Sequence, residues 1–288
     1  VNARLSQLPP VVLVLAAVLL WSTGGLFIKL TELDAFQVTF FRSLFAAVTV
    51  AILTRKDGFR IDAFGIATSA VYAALLLLFV WATKKTTAAN AIFLQYTAPI
   101  YILILGPFLI GERFRIRDLV TVAVVLAGMS LFFVGQLRLD DYQGNIAALF
   151  SGLFLGLYIL LLRHPRAERL NPTVAVIYGN FLLAAITLPA GLRALPTLTM
   201  KDFAAVLFLG VIQIGISYIL FIKGVRGGTR PLDASLIGFL EPLLNPVWVF
   251  IFVGEEPSKW AIAGGAIIVS AIALHTIRQY RGRLLTTD

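Results

Sequence analysis

The 288-residue chain has no cysteine, so it has no disulfide, no thiol nucleophile and no Cys-ligated metal, and its redox compartment goes unmarked. Charged residues are also scarce, at 14%, where a soluble globular chain carries about a quarter. His275 has no second His, Asp or Glu at ligand spacing, and an interfacial histidine with a satisfied ring is expected there rather than a metal site. Clustered His, Asp, Ser or Glu with nucleophile geometry is lacking too, which argues against an intramembrane enzyme. No cofactor motif is present. The formal charge of +9 comes without a long basic arm or an interleaved aromatic stripe, so nucleic acid is not the expected partner. The first apolar run ends in no small-residue cleavage pattern and reads as a retained helix rather than a signal peptide.

What the chain does have is apolar length. Hydrophobic residues make up 59% of it, and its mean hydropathy is +0.90. Ten apolar segments are expected at Val11–Ile28, Ala35–Leu53, Ala63–Ala82, Ala88–Ile110, Leu119–Gly135, Asn145–Leu162, Val174–Leu192, Phe203–Ile222, Ala234–Val253 and Trp260–Ile277. Each approaches the ~20 residues that a helix needs to cross a bilayer. None shows the alternation of a barrel strand, so helix is the form that satisfies the backbone in lipid. Connections are short and leave no room for a separate extramembrane domain. Sixteen of the 24 Lys and Arg residues lie at the termini and in the even-numbered loops, and seven lie in the odd-numbered loops. That bias places both termini in the cytoplasm. The remaining one, Arg42, lies inside a segment.

Two stretches repeat at a constant offset of 143. Residues 89–113 align with 232–256, so that Ala91 falls on Ala234, Pro99 on Pro242, and Gly111-Glu112 on Gly254-Glu255. A weaker echo pairs residues 44–48 with 182–186 and sets Arg42 opposite Asn180. After the first Gly-Glu pair come Arg113, Arg115 and Arg117; after the second come Glu256, Pro257, Ser258 and Lys259. Equivalent positions with opposite charge bias imply two five-helix halves, residues 1–138 and 139–288, inserted in opposite senses. Inverted repeats of this kind characterise transporters, with the site near the midplane between the halves. A channel fits a repeated Pro-interrupted helix less well than alternating access does.

With these residues in view, the chain resembles the drug/metabolite transporter superfamily, in its ten-helix bacterial branch with two EamA-type domains. The resemblance rests on Trp21 with Lys29 eight residues on, on Gly111-Glu112-Arg113 followed by Gly128, and on Gly254-Glu255 followed by Gly264 and Gly265. The second half departs from the pattern, with Leu155 where Trp21 stands in the first half and Gly-Glu-Glu in place of Gly-Glu-Arg. The resemblance implies an all-α membrane carrier whose superfamily moves amino acids, drugs, sugars and nucleotide derivatives, and it includes an aromatic-amino-acid exporter branch.

Ionisable groups inside a membrane cost roughly 2.5–3.5 kcal/mol on insertion scales and are read as functional by default. Glu241, midway along the ninth segment and directly before Pro242, is the sharpest. Asn245 and Gly238 share its face. Pro242 frees a carbonyl near position 238 and is expected to kink the helix. This face suits an ammonium group or a proton; the alternative is a buried, protonated Glu bonded to a neighbouring helix. In the fourth segment the same face shows Gln95, Ala98, Pro99 and Ile102, so the halves are chemically unequal. Arg42, with Gln37 five residues earlier, is read as gating or structural, either reaching the interface or pairing with Glu32 or Asp34, with a substrate carboxylate as the alternative. Trp21, Tyr72, Phe79, Tyr96, Tyr101, Tyr158 and Tyr218 come from helices that the resemblance places around a cavity, although aromatic residues also pack against lipid. Basic groups otherwise sit at helix ends, which favours a neutral, zwitterionic or cationic solute. Small residues four apart (Ala261 with Gly265, Ala266 with Ser270) permit close packing within a monomer or a weak homodimer.

The expected function is a multi-pass carrier of the bacterial inner membrane that exports amino acids, aromatic ones among them, or similar small metabolites by alternating access. The alternative is a proton-coupled exporter of drugs or cationic compounds. The expected partners are a small solute and lipid, with no cofactor and no metal.

Overall fold

The structure is a computed structural model and describes residues 8–86, 88–132, 134, 140–253 and 258–284. The second Gly-Glu pair, the end of the fifth segment at Gly135 and the boundary at 138/139 lie outside the described residues. So do the side chains of Lys29 and Asn245. The described residues form helices and no strand: α1 Pro10–Ser22, α2 Gly24–Lys29, α3 Ala35–Leu53, α4 Ala63–Lys85, α5 Ala88–Gln95, α6 Ala98–Ile110, α7 Ile116–Phe132, α8 Tyr142–Leu162, α9 Val174–Ala194, α10 Met200–Phe208, a π-helical stretch Leu209–Ile216 that runs into α11 Ser217–Arg226, α12 Pro231–Gly238, α13 Leu240–Val253 and α14 Lys259–Leu284. Seven uninterrupted or nearly uninterrupted helices among the described residues are long and apolar enough to cross a membrane, and α1 is a shorter apolar helix.

Local chemistry sets the helix ends. Asp34 accepts hydrogen bonds from the N–H groups of Phe36 and Gln37, while Gln37 returns one from the Asp34 N–H, a reciprocal cap on α3. Thr199 and Asp202 cap α10 in the same way. Asp202 also accepts from Thr31 Oγ1 at 2.7 Å and from the Glu32 N–H at 2.9 Å, tying the start of α10 to the chain after α2. Gly111 ends α6 at φ +65°, a left-handed conformation that glycine adopts without the penalty of a Cβ. The glycine of the first repeated Gly-Glu pair is therefore a helix stop.

Three apolar segments expected to be continuous are interrupted. The first breaks at Thr23. The fourth breaks at Tyr96–Thr97, two residues before Pro99, and the ninth at Phe239, three before Pro242. A proline has no N–H for the carbonyl four residues earlier and its ring crowds that turn, so the preceding turn loosens and the helix restarts. The fourth and ninth breaks obey the 143-residue offset: Tyr96 corresponds to Phe239, and their rings meet at 4.9 Å. The kink expected at Pro242 is thus a break one turn earlier.

Helix pairing follows a regular scheme. Helix α4 packs on α8, and α11 on α1. Helices α5 and α6 pack on α8, while α12 and α13 pack on α1. Helix α3 packs on α9 and on the π-helical stretch, α9 also packs on α4, and α7 pairs with α14. Exchanging each helical segment with the one five further on maps this set of contacts onto itself. The centre is closed by Tyr72, Tyr158, Phe221 and Phe239, all fully buried, whereas Phe108 and Ile262 stand on the outside at 84% and 62% exposure. Large apolar side chains facing outward suit a lipid surround. Gly264 of α14 lies against the Gly128 carbonyl, so this glycine contact serves packing within the chain, while Ala266 and Ser270 face outward.

Candidate functional site

A cavity of about 100 Å³ lies where the broken helices meet the rest of the bundle. Trp21 comes to it from α1, Arg42 from α3, Leu75, Leu76 and Phe79 from α4, and Gln95 with Tyr96 from α5 and the break that follows. Leu155 and Ile159 of α8, Gln213 and Ile214 of the π-helical stretch, and Tyr218 and Phe221 of α11 complete the walls with Ala234, Ser235, Gly238 and Glu241. Ser235, Gly238 and Glu241 are spaced by three and present one face, which carries across the break at Phe239.

Among the described residues, Glu241 holds one polar contact across this space. The Tyr96 hydroxyl donates to Glu241 Oε2 at 2.8 Å, joining the two broken segments beside their ring contact. The opposing broken helix has Ala98 where this one has Glu241, so the pair is one of a kind by construction. Gln95 Nε2 donates to Ser151 Oγ at 2.8 Å, and Ser151 in turn donates to the Leu75 carbonyl at 2.9 Å, which fixes that wall to α4 and α8.

The aromatic residues divide into a lining and a backing. Trp21 packs against Tyr218 and Phe221 with centroids at 4.9 Å in both cases. Tyr72 and Tyr158 are fully buried behind Tyr218, with centroids 5.1 and 6.3 Å from it, and do not line the cavity. The Tyr72 hydroxyl accepts from Asn180 Nδ2 at 3.0 Å. Pro99 and Pro242 are buried helix-breaking residues off the cavity wall, and Tyr101 packs beside Gly156 of α8 instead of lining the space. Of the residues singled out in the sequence, the structure thus brings Trp21, Arg42, Phe79, Gln95, Tyr96, Tyr218 and Glu241 to one cavity. It places Tyr72, Tyr158, Pro99, Pro242 and Tyr101 around it.

Arg42 lies on the cavity wall. Asp34 is occupied as a helix cap, and neither Asp34 nor Glu32 pairs with Arg42. The head points inward to the cavity near the Tyr72 and Tyr218 phenols, not out to the interface. Gln213 is a residue that sequence reading missed. It belongs to no repeat and carries no charge, and only a π-helical turn, a feature frequent at functional sites, brings it to the wall. Gly210 permits this, because a Cβ there would lie 2.8 Å from the Arg42 carbonyl oxygen and 2.4 Å from Phe45 Cβ.

At one end of the bundle a second polar cluster joins α6, α7, α12 and α14. Arg230 Nε donates to Glu112 Oε1 at 2.5 Å, and its Nη2 donates to Asp118 Oδ2 at 3.2 Å. Burial pushes the Asp118 carboxyl up, but the Arg115 N–H and the Arg230 guanidinium outweigh it and hold the group below the usual carboxylate range. His275 is satisfied, with Nε2 at 3.0 Å from Asp233 and Nδ1 at 3.2 Å from Thr121. The acid that the sequence neighbourhood of His275 lacks comes from another helix. No group of three metal-ligating side chains exists among the described residues.

Comparison with known proteins identifies the architecture. The EamA-like transporter family matches residues 8–134 and again residues 142–277. An uncharacterized transporter of Archaeoglobus fulgidus is 25% identical over 91% of this chain and 94% of its own. The pseudopaline exporter CntI of Pseudomonas aeruginosa is 23% identical over 83% and 85%. A probable terminal-alkyne amino-acid exporter of Streptantibioticus cattleyicolor is 23% identical over 67% and 66%. One solved crystal structure shares the fold with a TM-score of 0.79, covering 94% of this chain and 98% of the other at 20% identity.

Proposed function

The chain belongs to the EamA-like transporter family, and we propose that it is a carrier of the bacterial inner membrane that exports amino acids, aromatic ones included, or similar small metabolites. Ten membrane spans form two inverted five-helix halves, residues 1–138 and 139–288, with both termini in the cytoplasm. The two separate family matches and the exchange symmetry of the helix pairing support this division. The solute occupies the cavity between the halves, with Trp21, Phe79, Gln95, Tyr96, Tyr218 and Glu241 in contact with it. Tyr72, Tyr158, Tyr101 and Pro99 shape the wall from behind, and Asn245 continues the Glu241 face.

The observation that carries this reading is the Tyr96–Glu241 hydrogen bond where two broken helices cross. Helices interrupted at corresponding points of two repeats mark the substrate site in transporters of inverted symmetry. About 100 Å³ is well below the roughly 300–1,000 Å³ of a drug-sized site. The halves must therefore part to admit a solute, as alternating access requires. Two relatives are exporters by name, one of them of an amino acid. A second reading, proton-coupled export of cationic compounds, draws on the same buried carboxyl.

Efflux from liposomes, with a panel of amino acids and cationic dyes and with or without a pH gradient, tests both readings. Amino-acid efflux without dye efflux is the expected result. Dye efflux that needs the gradient, with no amino acid moving, would replace the first reading by the second.

A further inference from the structure

Arg42 presents an unsolved electrostatic problem. It lies eight residues into α3, inside the bundle, on the wall of the cavity. Its guanidinium makes no ion pair and no hydrogen bond among the described residues, and its Nε is buried without a partner. Glu241, the cavity's carboxyl, is spoken for by Tyr96 and stands beyond ion-pairing distance from Arg42. Tyr218 lines the same cavity, within electrostatic reach of both. An uncompensated cation in a low-dielectric interior costs several kcal/mol, and proteins retain one where something else neutralises it.

Two further groups on the same wall share this lack of partners. Among the described residues the buried Trp21 Nε1–H has no acceptor and the buried Gln213 Oε1 has no donor. Gln213 Nε2 makes only a long 3.4 Å contact to the Trp21 carbonyl. Gly24 leaves room for that amide, since a Cβ there would lie 2.8 Å from Gln213 Nε2. A guanidinium and an indole N–H gathered on one wall are a donor set for a carboxylate, and the planar fork of Arg matches it bidentately, while Gln213 Oε1 beside them is an acceptor open to an N–H donor.

We propose that Arg42, with Trp21, is the carboxylate-binding subsite of the cavity, so that the solute is a zwitterion with its carboxylate on Arg42 and its ammonium toward Glu241. This rests on the cavity being the transport site, and it names what the cavity selects. A cation without a carboxylate would leave Arg42 unneutralised, and an anion without an ammonium would leave Glu241 with the neutral Tyr96 hydroxyl in place of an opposite charge. Arg42 thereby moves from a gating or structural role to a specificity-determining one.

The test uses the full-length protein and two independent readouts. The first is thermal unfolding without solute, for wild type, Arg42→Gln and Arg42→Lys. Because Arg42 has no ion-pair or hydrogen-bond partner among the described residues, Arg42→Gln is expected to unfold no earlier than wild type. A marked fall in its midpoint would show that the charge is neutralised within the fold and would overturn the proposal. The second is liposome efflux of L-phenylalanine, L-phenylalaninamide and phenethylamine, which share a ring and a nitrogen but differ in the carboxylate. Wild type is expected to move phenylalanine at least about tenfold faster than the other two, and Arg42→Gln to lose that preference. Trp21→Phe, which removes the indole N–H and keeps an aromatic ring, is expected to lose part of it. Equal rates for the three probes in wild type, or an unchanged preference in Arg42→Gln, would overturn the subsite while leaving amino-acid export standing. If cationic dyes move and no amino acid does, the exporter reading falls as well, and the unfolding result still reports on Arg42 separately.

Discussion

Replacing Tyr96 by Phe removes one oxygen from the point where the two broken helices cross. The ring contact with Phe239 at 4.9 Å is kept, so any effect comes from the hydroxyl that donates to Glu241 at 2.8 Å. Glu241 then loses its only protein hydrogen bond among the described residues. Leaving a buried acceptor without its donor costs about 1–3 kcal/mol, which is about 5-fold to 150-fold in rate or affinity if the bond is held through the transport cycle. Glu241→Gln keeps the size and an acceptor oxygen but removes the charge. A double-mutant cycle on liposome efflux separates the two effects. If the groups act through their mutual bond, Tyr96→Phe with Glu241→Gln costs little more than the worse single variant. Wild-type flux in Tyr96→Phe, or effects of the two substitutions that simply add, would refute the view that this bond organises the site.

Two predictions concern the frame around the site. Gly264→Val should lower the unfolding midpoint by the equivalent of about 1–3 kcal/mol, because a Cβ at Gly264 meets the Gly128 carbonyl and the Phe132 N at 2.5 Å and backbone cannot rotate aside; a midpoint equal to wild type would contradict the α7–α14 packing. Arg230→Gln should destabilise the protein by about 3 kcal/mol, since it leaves Glu112 and the fully buried Asp118 without their cation. Asp118 is held below its ordinary range, so its contribution is present above the unfolded carboxylate pKa and is lost as pH falls through the lower folded one. Wild-type stability should therefore fall at acid pH more steeply than that of Arg230→Gln, and parallel pH profiles would contradict this role.

What was readable from sequence was local or repeated. Apolar length marks the helices because lipid demands it, and Pro99 and Pro242 mark the two interruptions because a proline loosens its own turn wherever it stands. Glu241 was visible as an isolated carboxyl inside an apolar run. Partnership was not visible. Tyr96 lies 145 residues from Glu241, Arg230 lies 118 from Glu112, and Asp233 lies 42 from His275. The direction of Arg42 is not legible in the sequence, because a long side chain early in a helix has two directions open to it; in the fold α3 packs on α9 and the π-helical stretch, and Arg42 lines the cavity. Gln213 carries neither charge nor repeat, and the geometry that exposes it is a π-helical turn with no sequence mark of its own. The aromatic residues were read as one set. The fold splits them because helix faces decide which rings reach open space, and Tyr72 and Tyr158 end up behind Tyr218.

The central claim is that solute crosses through the cavity between the halves. The absence of native cysteine makes a direct measurement possible, since a single Cys at Ser235 on the cavity wall would be the only thiol in the chain. In Ser235→Cys proteoliposomes of defined orientation, a membrane-impermeant thiol reagent is applied from each side, with and without transported amino acid. The account predicts labelling from either side, slowed by the transported amino acid, and loss of efflux in proportion to labelling. Full labelling with undiminished efflux, or labelling that the solute does not slow, would contradict it.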